Sequence, residues 1–207
     1  FAQHTPLTTQ YLFNRLLIDP AYAGSRDALT ATISYRRQWV GFEGAPTTQI
    51  LSIHSPVNAT NLGLGMIVYN DRIGVSRETG VMTDYAYRMR LGGGKLALGL
   101  GAGLKVMQAD WTQVRTTVAG DAEFASDSRG VISPNFSAGA YYSDKRFFAG
   151  LSLPFFLSQR YNAETGTWAT LNDAHQYQPM LTGGMLVDVD RDLKLKPSVL
   201  LRKSGGD

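Results

Sequence analysis

The sequence predicts an all-β protein: an antiparallel β-barrel that crosses a membrane on its strands. Three observations predict it. Segment after segment alternates apolar and small or polar residues, the connections alternate between short and long, and no apolar run reaches 18 residues. The clearest alternation spans residues 95–109. Leu96, Leu98, Leu100, Ala102, Leu104 and Val106 take every second position, with Ala97, Gly99, Gly101, Gly103 and Lys105 between them. Alternate side chains of a strand point to opposite faces, so one face is greasy and the other small or polar. A strand of about 9–11 residues tilted near 45° crosses a bilayer, and this segment is long enough.

Composition agrees. Of 207 residues, 18% are charged, below the roughly 25% of an average soluble domain. Glycine, at 22 residues, is enriched. Cysteine is absent, which excludes disulfides and Cys-type zinc sites. The net charge is +3, with 20 basic and 17 acidic residues intermixed and no basic arm, so nucleic acid is not an expected partner. Phe1-Ala2 before Gln3 fits the tail of an export signal.

The first residues do not alternate. Tyr11, Leu12, Phe13, Leu16, Leu17 and Ile18 cluster at helical spacing, with Thr8 or Thr9 as a cap. Asp19-Pro20 ends that pattern, because the residue before proline is pushed out of the α region. Residues 1–27 are therefore expected to form a short helix or coil, a periplasmic or plug segment ahead of a barrel over 28–207.

Nine strands are expected after it. The first, 29–39, sets Leu29, Ala31, Ile33 and Tyr35 against Thr30, Thr32, Ser34 and Arg36. Arg37 falls on its apolar face beside Trp39, a pairing suited to the membrane interface. The second, 47–55, points Leu51 and Ile53 outward and Ser52 and His54 inward. The third is 62–69; in the fourth, 79–91, Val81, Tyr85, Tyr87, Met89 and Leu91 oppose Asp84, Arg88 and Arg90. Gly92-Gly93-Gly94 makes a tight turn into the fifth. The sixth (135–143), seventh (146–155), eighth (178–188) and ninth (193–201) follow.

Residues 41–46, 70–78, 111–133 and 157–177 are expected loops, and most are longer than the turns that alternate with them. Short periplasmic turns and long outer loops are a barrel habit. Bacterial single-chain barrels have an even number of strands, and an unpaired edge in hydrocarbon is costly. Nine strands and a loop-like end at 204–207 therefore read as a chain incomplete at its C-terminus.

No constellation supports catalysis, and neither cofactor nor metal is expected. Gly99-Leu100-Gly101-Ala102-Gly103 repeats every two residues inside a strand, unlike a dinucleotide turn. Gly94-Lys95 is followed by Leu96 where a phosphate loop needs Ser or Thr. Pro154 replaces the last glycine of a nucleophile elbow at 150–154. Asp188, Asp190 and Asp192 open like a calcium loop, but Leu193 and Val199 stand where glycine and glutamate belong. His4, His54 and His175 lack metal-ligand spacing.

The candidate functional residues are of four kinds. Arg36, Asp84, Arg88, Arg90 and Lys105 are candidate lumen charges, read first as an ion-pair network. Phe42, Arg72, Trp111, Phe124, Arg129, Tyr161 and Trp168 are candidate partner-binding residues on the loops, because barrels carry function on loops over a rigid scaffold. Tyr11, Phe13, Leu16 and Tyr22 are candidates for a plug or docking segment. Trp39, Tyr85 and Tyr87 are candidate interface anchors.

Several spaced motifs resemble one family. Gln10-Tyr11-Leu12-Phe13-Asn14 through Asp19-Pro20-Ala21-Tyr22-Ala23-Gly24 is similar to the N-terminal signature of the PorP/SprF family. Tyr35-Arg36-Arg37-Gln38-Trp39, Gly44-Ala45-Pro46-Thr47-Thr48-Gln49, Gly63-Leu64-Gly65, Asn70-Asp71-Arg72-Ile73-Gly74, Tyr85-Ala86-Tyr87-Arg88, Lys95-Leu96-Ala97-Leu98-Gly99-Leu100 and Phe148-Ala149-Gly150-Leu151-Ser152-Leu153-Pro154 follow in the family's order. Arg15 and Asp19 depart from its usual proline and asparagine. The resemblance implies an outer-membrane barrel of the type IX secretion and gliding system of Bacteroidota, of roughly fourteen strands when complete. It also implies partners: the C-terminal domain of a large secreted adhesin, other secretion components in the outer membrane and periplasm, and the lipid bilayer. The alternative function is a channel or transporter for small or hydrophobic solutes.

Overall fold

The computed structural model describes residues 11–58, 60–113, 128–162, 167–171, 177–190 and 193–203. Nine strands form one antiparallel sheet: β1 (Thr30–Arg37), β2 (Thr47–Pro56), β3 (Leu62–Ile73), β4 (Ser76–Leu91), β5 (Gly94–Ala109), β6 (Ser128–Ser143), β7 (Phe147–Leu153), β10 (Met180–Met185) and β13 (Ser198–Arg202). Each pairs with its neighbours in chain order, and the sheet curls into a half-barrel. Two small ladders lie off it, β8 (Ser158–Asn162) with β9 (Thr167–Leu171), and β11 (Val187–Asp188) with β12 (Lys194–Leu195).

The alternation decides the two faces. Ile33, Tyr35, Leu64, Val81, Leu98, Leu100, Leu104, Phe136, Leu151, Leu181, Val199 and Leu201 all stand exposed on the convex side. So large a continuous apolar surface would drive association in water; facing hydrocarbon it is the wall of a transmembrane barrel. On the concave side, Ser52, His54, Asp84, Ala86, Ala97, Gly99, Gly101, Ser137, Ser152 and Thr182 are buried. The 16 residues of β4 and of β5, at about 3.3 Å each, exceed what a bilayer requires. Their ends therefore project past it.

Several boundaries differ from expectation. Residues 70–78 are not a loop: β3 and β4 run through them in register to Ile73↔Ser76, and Gly74 turns the chain with φ +57°. Polar composition hid this, because strands past the membrane rim are wet on both faces. Their polar groups are matched: Tyr69 donates to Glu78 at 2.8 Å, Asn70 to Thr79 at 2.7 Å, and Thr48 to Asp71. Arg72 accordingly lies in β3. β6 starts at Ser128 rather than 135, running through Ser133-Pro134, which reads as a turn; this puts Arg129 in a strand, and Tyr161 pairs with Trp168 in the β8–β9 hairpin within 157–177. The expected eighth and ninth strands are each split. Pro197, which has no N–H to give a ladder, separates β12 from β13, and its carbonyl accepts the Met185 N–H at 3.1 Å.

The N-terminal segment, expected as a short helix or coil, forms short 3-10 turns at Arg15–Leu17 and Pro20–Tyr22. Asn14 makes no side-chain cap bond, and Asp19 is extended (φ −142°, ψ 108°). The chain then bends to follow the concave wall. The buried apolar groups sit at that contact: Leu16 and Ala23 with Ile50, Ile67 and Ala86, and Ala21 with Ala97, Tyr141 and Phe148.

Candidate functional site

The inner wall carries a floor of glycines, and the N-terminal segment rests on it. A Cβ placed on Gly99 would lie 2.1 Å from the Ala21 backbone nitrogen. On Gly63 it would meet the Ala23 carbonyl oxygen at 2.2 Å, and on Gly139 the Asp19 Oδ1 at 2.1 Å. On Gly65 it would crowd Leu16 at 3.1 Å. Only glycine permits this approach of two backbones. The glycines belong to β3, β5 and β6, so the seat spans several strands of the sheet.

Each residue of the segment Asp19-Pro20-Ala21-Tyr22-Ala23-Gly24 has a physical task there. The Asp19 carboxylate accepts the Ala21 N–H at 2.9 Å, capping a turn with Pro20 at its first position. Ala21 and Ala23 are fully buried, with no room for a larger side chain. The Tyr22 ring meets His54 and Tyr141 edge-on, at centroid distances of 5.5 and 5.3 Å. Gly24 turns the chain with φ +70°, donates its N–H to His54 Nδ1 at 3.1 Å and gives its carbonyl to Arg88. Nearby, Asn14 donates to Ser52 at 2.7 Å.

Charge is handled unevenly. Arg15 is buried, lies 3.6 Å over the Phe148 ring and donates to the Tyr141 hydroxyl at 2.9 Å, while its Nε has no acceptor. Asp19 and Asp84 are both buried, and each has a carboxylate oxygen without a donor among the described residues. Burial pushes the Asp19 carboxyl up to about 7 despite the Ala21 hydrogen bond. At the lower end of the wall, which carries the Gly92–Gly93 turn, Asp27 bridges Lys95 at 3.0 Å and Arg88 at 3.3 Å. The hydrogen bond from Lys95, with smaller help from Arg88, holds the exposed Asp27 carboxyl below its usual range.

The predicted site residues scatter between this seat and the rim. Leu16 is buried in the seat and Tyr22 half-buried; Tyr11 is half-buried farther out, and Phe13 is 77% exposed. Of the candidate lumen charges, Asp84 and Arg88 touch or neighbour the segment, Lys105 pairs with Glu78 at 3.5 Å, Arg36 lies beside the Gln38 amide, and Arg90 is exposed. Tyr85 and Tyr87 face out from β4, and Trp39, just beyond β1, is exposed like Phe42. Arg72 is exposed and Trp111 half-buried, in a short 3-10 turn. Phe124 lies outside the described residues, as do the side chains of Arg129, Tyr161 and Trp168. Sequence reasoning passed over Asn14, Arg15 and His54. The signal that points to them is the inward glycines, which mark where something must approach.

The seat holds a peptide segment against a wall through backbone contact and hydrogen bonds. No curated protein and no solved structure shows significant similarity to the chain. The model of the type IX secretion system membrane protein PorP/SprF matches residues 1–207. With a half-barrel of antiparallel strands, an apolar convex wall and that match along its length, the chain belongs to the PorP/SprF family of type IX secretion system membrane proteins.

Proposed function

We propose that this protein is an outer-membrane barrel component that binds, exports or anchors a large surface adhesin through the cargo's C-terminal domain. One observation carries the reading: the inner wall is covered by the chain's own residues, with Ala21 and Ala23 fully buried against it. A lumen lined this way disfavours a solute channel and leaves the loops opposite the Gly92–Gly93 turn as the surface for a partner. These are the connections 38–46, 74–75, 110–127 and 154–179. Phe42 and Trp111, with Phe124, Tyr161 and Trp168, are its candidate contacts, joined by Arg72 and Arg129 on the strand ends beside these connections. The exposed Trp39 and Phe42, 70% and 74% accessible, sit on the first of these connections, and aromatic side chains are favoured anchors at interfaces. Residues 1–27 serve as the plug or docking segment and 28–207 as the barrel. Other secretion components in the outer membrane and periplasm are the remaining partners. The protein works by binding and not as an enzyme.

The test is deletion of residues 120–127, which leaves β6 from Ser128 onward intact. Cargo should be lost from the cell surface while the protein still inserts; full cargo retention would remove that loop from the site. The rival, a channel, predicts ion conductance or solute uptake by the purified protein in liposomes without cargo.

A further inference from the structure

Two carboxylates are buried at the contact between the N-terminal segment and the wall, one from each, and among the described residues no ion pair is made to either. Asp19 is 3% exposed and Asp84 4%. Asp84 Oδ1 occupies the space a Cβ on Gly101 would need, at 2.4 Å, beside the Ser137 hydroxyl at 2.2 Å. Asp19 Oδ1 does the same at Gly139. Gly101 pairs with Ser137, two residues from Gly139, so the two positions are diagonal neighbours about 7 Å apart. Among the described residues, the Oδ2 atoms of both carboxylates have no donor.

The nearby bases are engaged elsewhere. Arg15 sits on Phe148 and Tyr141, Arg88 on Gly24 and Asp27, Lys95 on Asp27, and Lys105 on Glu78. Lys196 lies 5.7 Å from the Phe148 ring. The other titratable groups on the seat are Tyr141 on β6, Tyr22 on the segment and His54 on β2. Thr182 on β10 and Gly150 on β7 close the pocket around Asp19 without charge. A buried carboxylate pair without a cation is tolerated when one member keeps its proton.

We propose that Asp19 and Asp84 form a proton-controlled latch, in which the N-terminal segment stays seated while the pair holds a proton and loosens when both carry charge. The latch regulates the seat and does not depend on which cargo is bound. The direction follows from linkage. The seated Asp19 binds its proton more tightly than a solvated one, so seating weakens as pH rises from the usual carboxylate range to about 7 and changes little above that. His54 works the other way: its Nδ1 accepts the Gly24 N–H, so charging it in acid would loosen the segment.

The chain has no cysteine, which makes the test direct. Leu16→Cys places a thiol under the seated segment, and Phe13→Cys places one on its exposed side. Maleimide labelling of the two in the purified barrel is compared from pH 5 to pH 8.5, the second thiol correcting for thiol ionisation. The Leu16→Cys to Phe13→Cys rate ratio should rise roughly tenfold or more between pH 5 and pH 7 and then level. Asp19→Asn with Asp84→Asn should flatten that rise and keep the ratio low. A flat ratio, or one that falls with pH, in the unaltered carboxylate background overturns the latch. So does a full rise surviving in the double variant. The first comparison needs no carboxylate substitution, so it decides the matter even if that variant fails to insert.

Discussion

Ala21 rests directly on Gly99: a methyl group on that glycine would stand 2.1 Å from the Ala21 backbone nitrogen, well inside van der Waals contact. Backbone cannot yield as a flexible side chain can, so Gly99→Ala should unseat the segment, at a cost of about 1–3 kcal/mol. Trypsin cleavage at the buried Arg15 reads this out, and it should quicken. Gly93→Ala, with open space around it, is the control; equal cleavage in both variants would count against the seat.

Arg15 is held by shape as well as by charge. Arg15→Lys keeps the cation but loses the planar stacking on Phe148 and the aligned bond to Tyr141. Tyr141→Phe leaves a buried guanidinium N–H without an acceptor. Each should lower the stability of the seated state by about 1–3 kcal/mol. Thermal melting in detergent would detect it, and an unchanged midpoint for both would show that Arg15 is a bystander.

Asp27 should respond to pH in the sense opposite to Asp19. Its carboxyl is held below the usual range by Lys95 and Arg88, so its contribution is present at neutral pH and is lost as pH falls through that range. The site is exposed, so the contribution is small. Asp27→Asn is expected to change stability by less than about 1 kcal/mol, and less still in high salt. A large, salt-insensitive effect would mean that the Asp27 pairs with Lys95 and Arg88 are shielded from water.

The convex wall makes its own prediction. Leu100 is 66% exposed, and at the surface of a soluble protein Leu100→Arg would shift stability by about 0.5 kcal/mol or less. On a lipid-facing strand near mid-height it should cost about 2–4 kcal/mol. Folding into lipid vesicles, followed by urea titration, separates the two cases.

Much of this architecture is legible in one dimension. Strand alternation is a local property of the backbone, so the Leu96–Leu104 face, the glycine face behind it and the antiparallel order of the nine main strands can be read residue by residue. The alternation of turns and loops adds the two ends. It fails where both faces of a strand meet water, as at 70–78, because the apolar marker is then gone, and at 128–134, where Ser133-Pro134 reads as a turn although β6 runs through it. In the N-terminal segment the missing alternation shows that no strand forms, but the choice of 3-10 turns over a longer helix comes from the wall along which the segment bends.

The sequence by itself determined a barrel wall with small residues turned inward, and hence that something approaches that wall closely. It makes the N-terminal residues the plug candidate; only the tertiary structure decided where they sit and through which contacts. Arg15 reaches Tyr141 across 126 positions of chain, and Gly24 reaches His54 across 30. Complementarity between a segment and a curved sheet is a product of strands brought together from distant positions, so it leaves no periodic trace in the sequence. Glycines record that room was left on the wall but not for what; here it is residues 14–24, whose Asp19 is buried against the wall that carries Asp84.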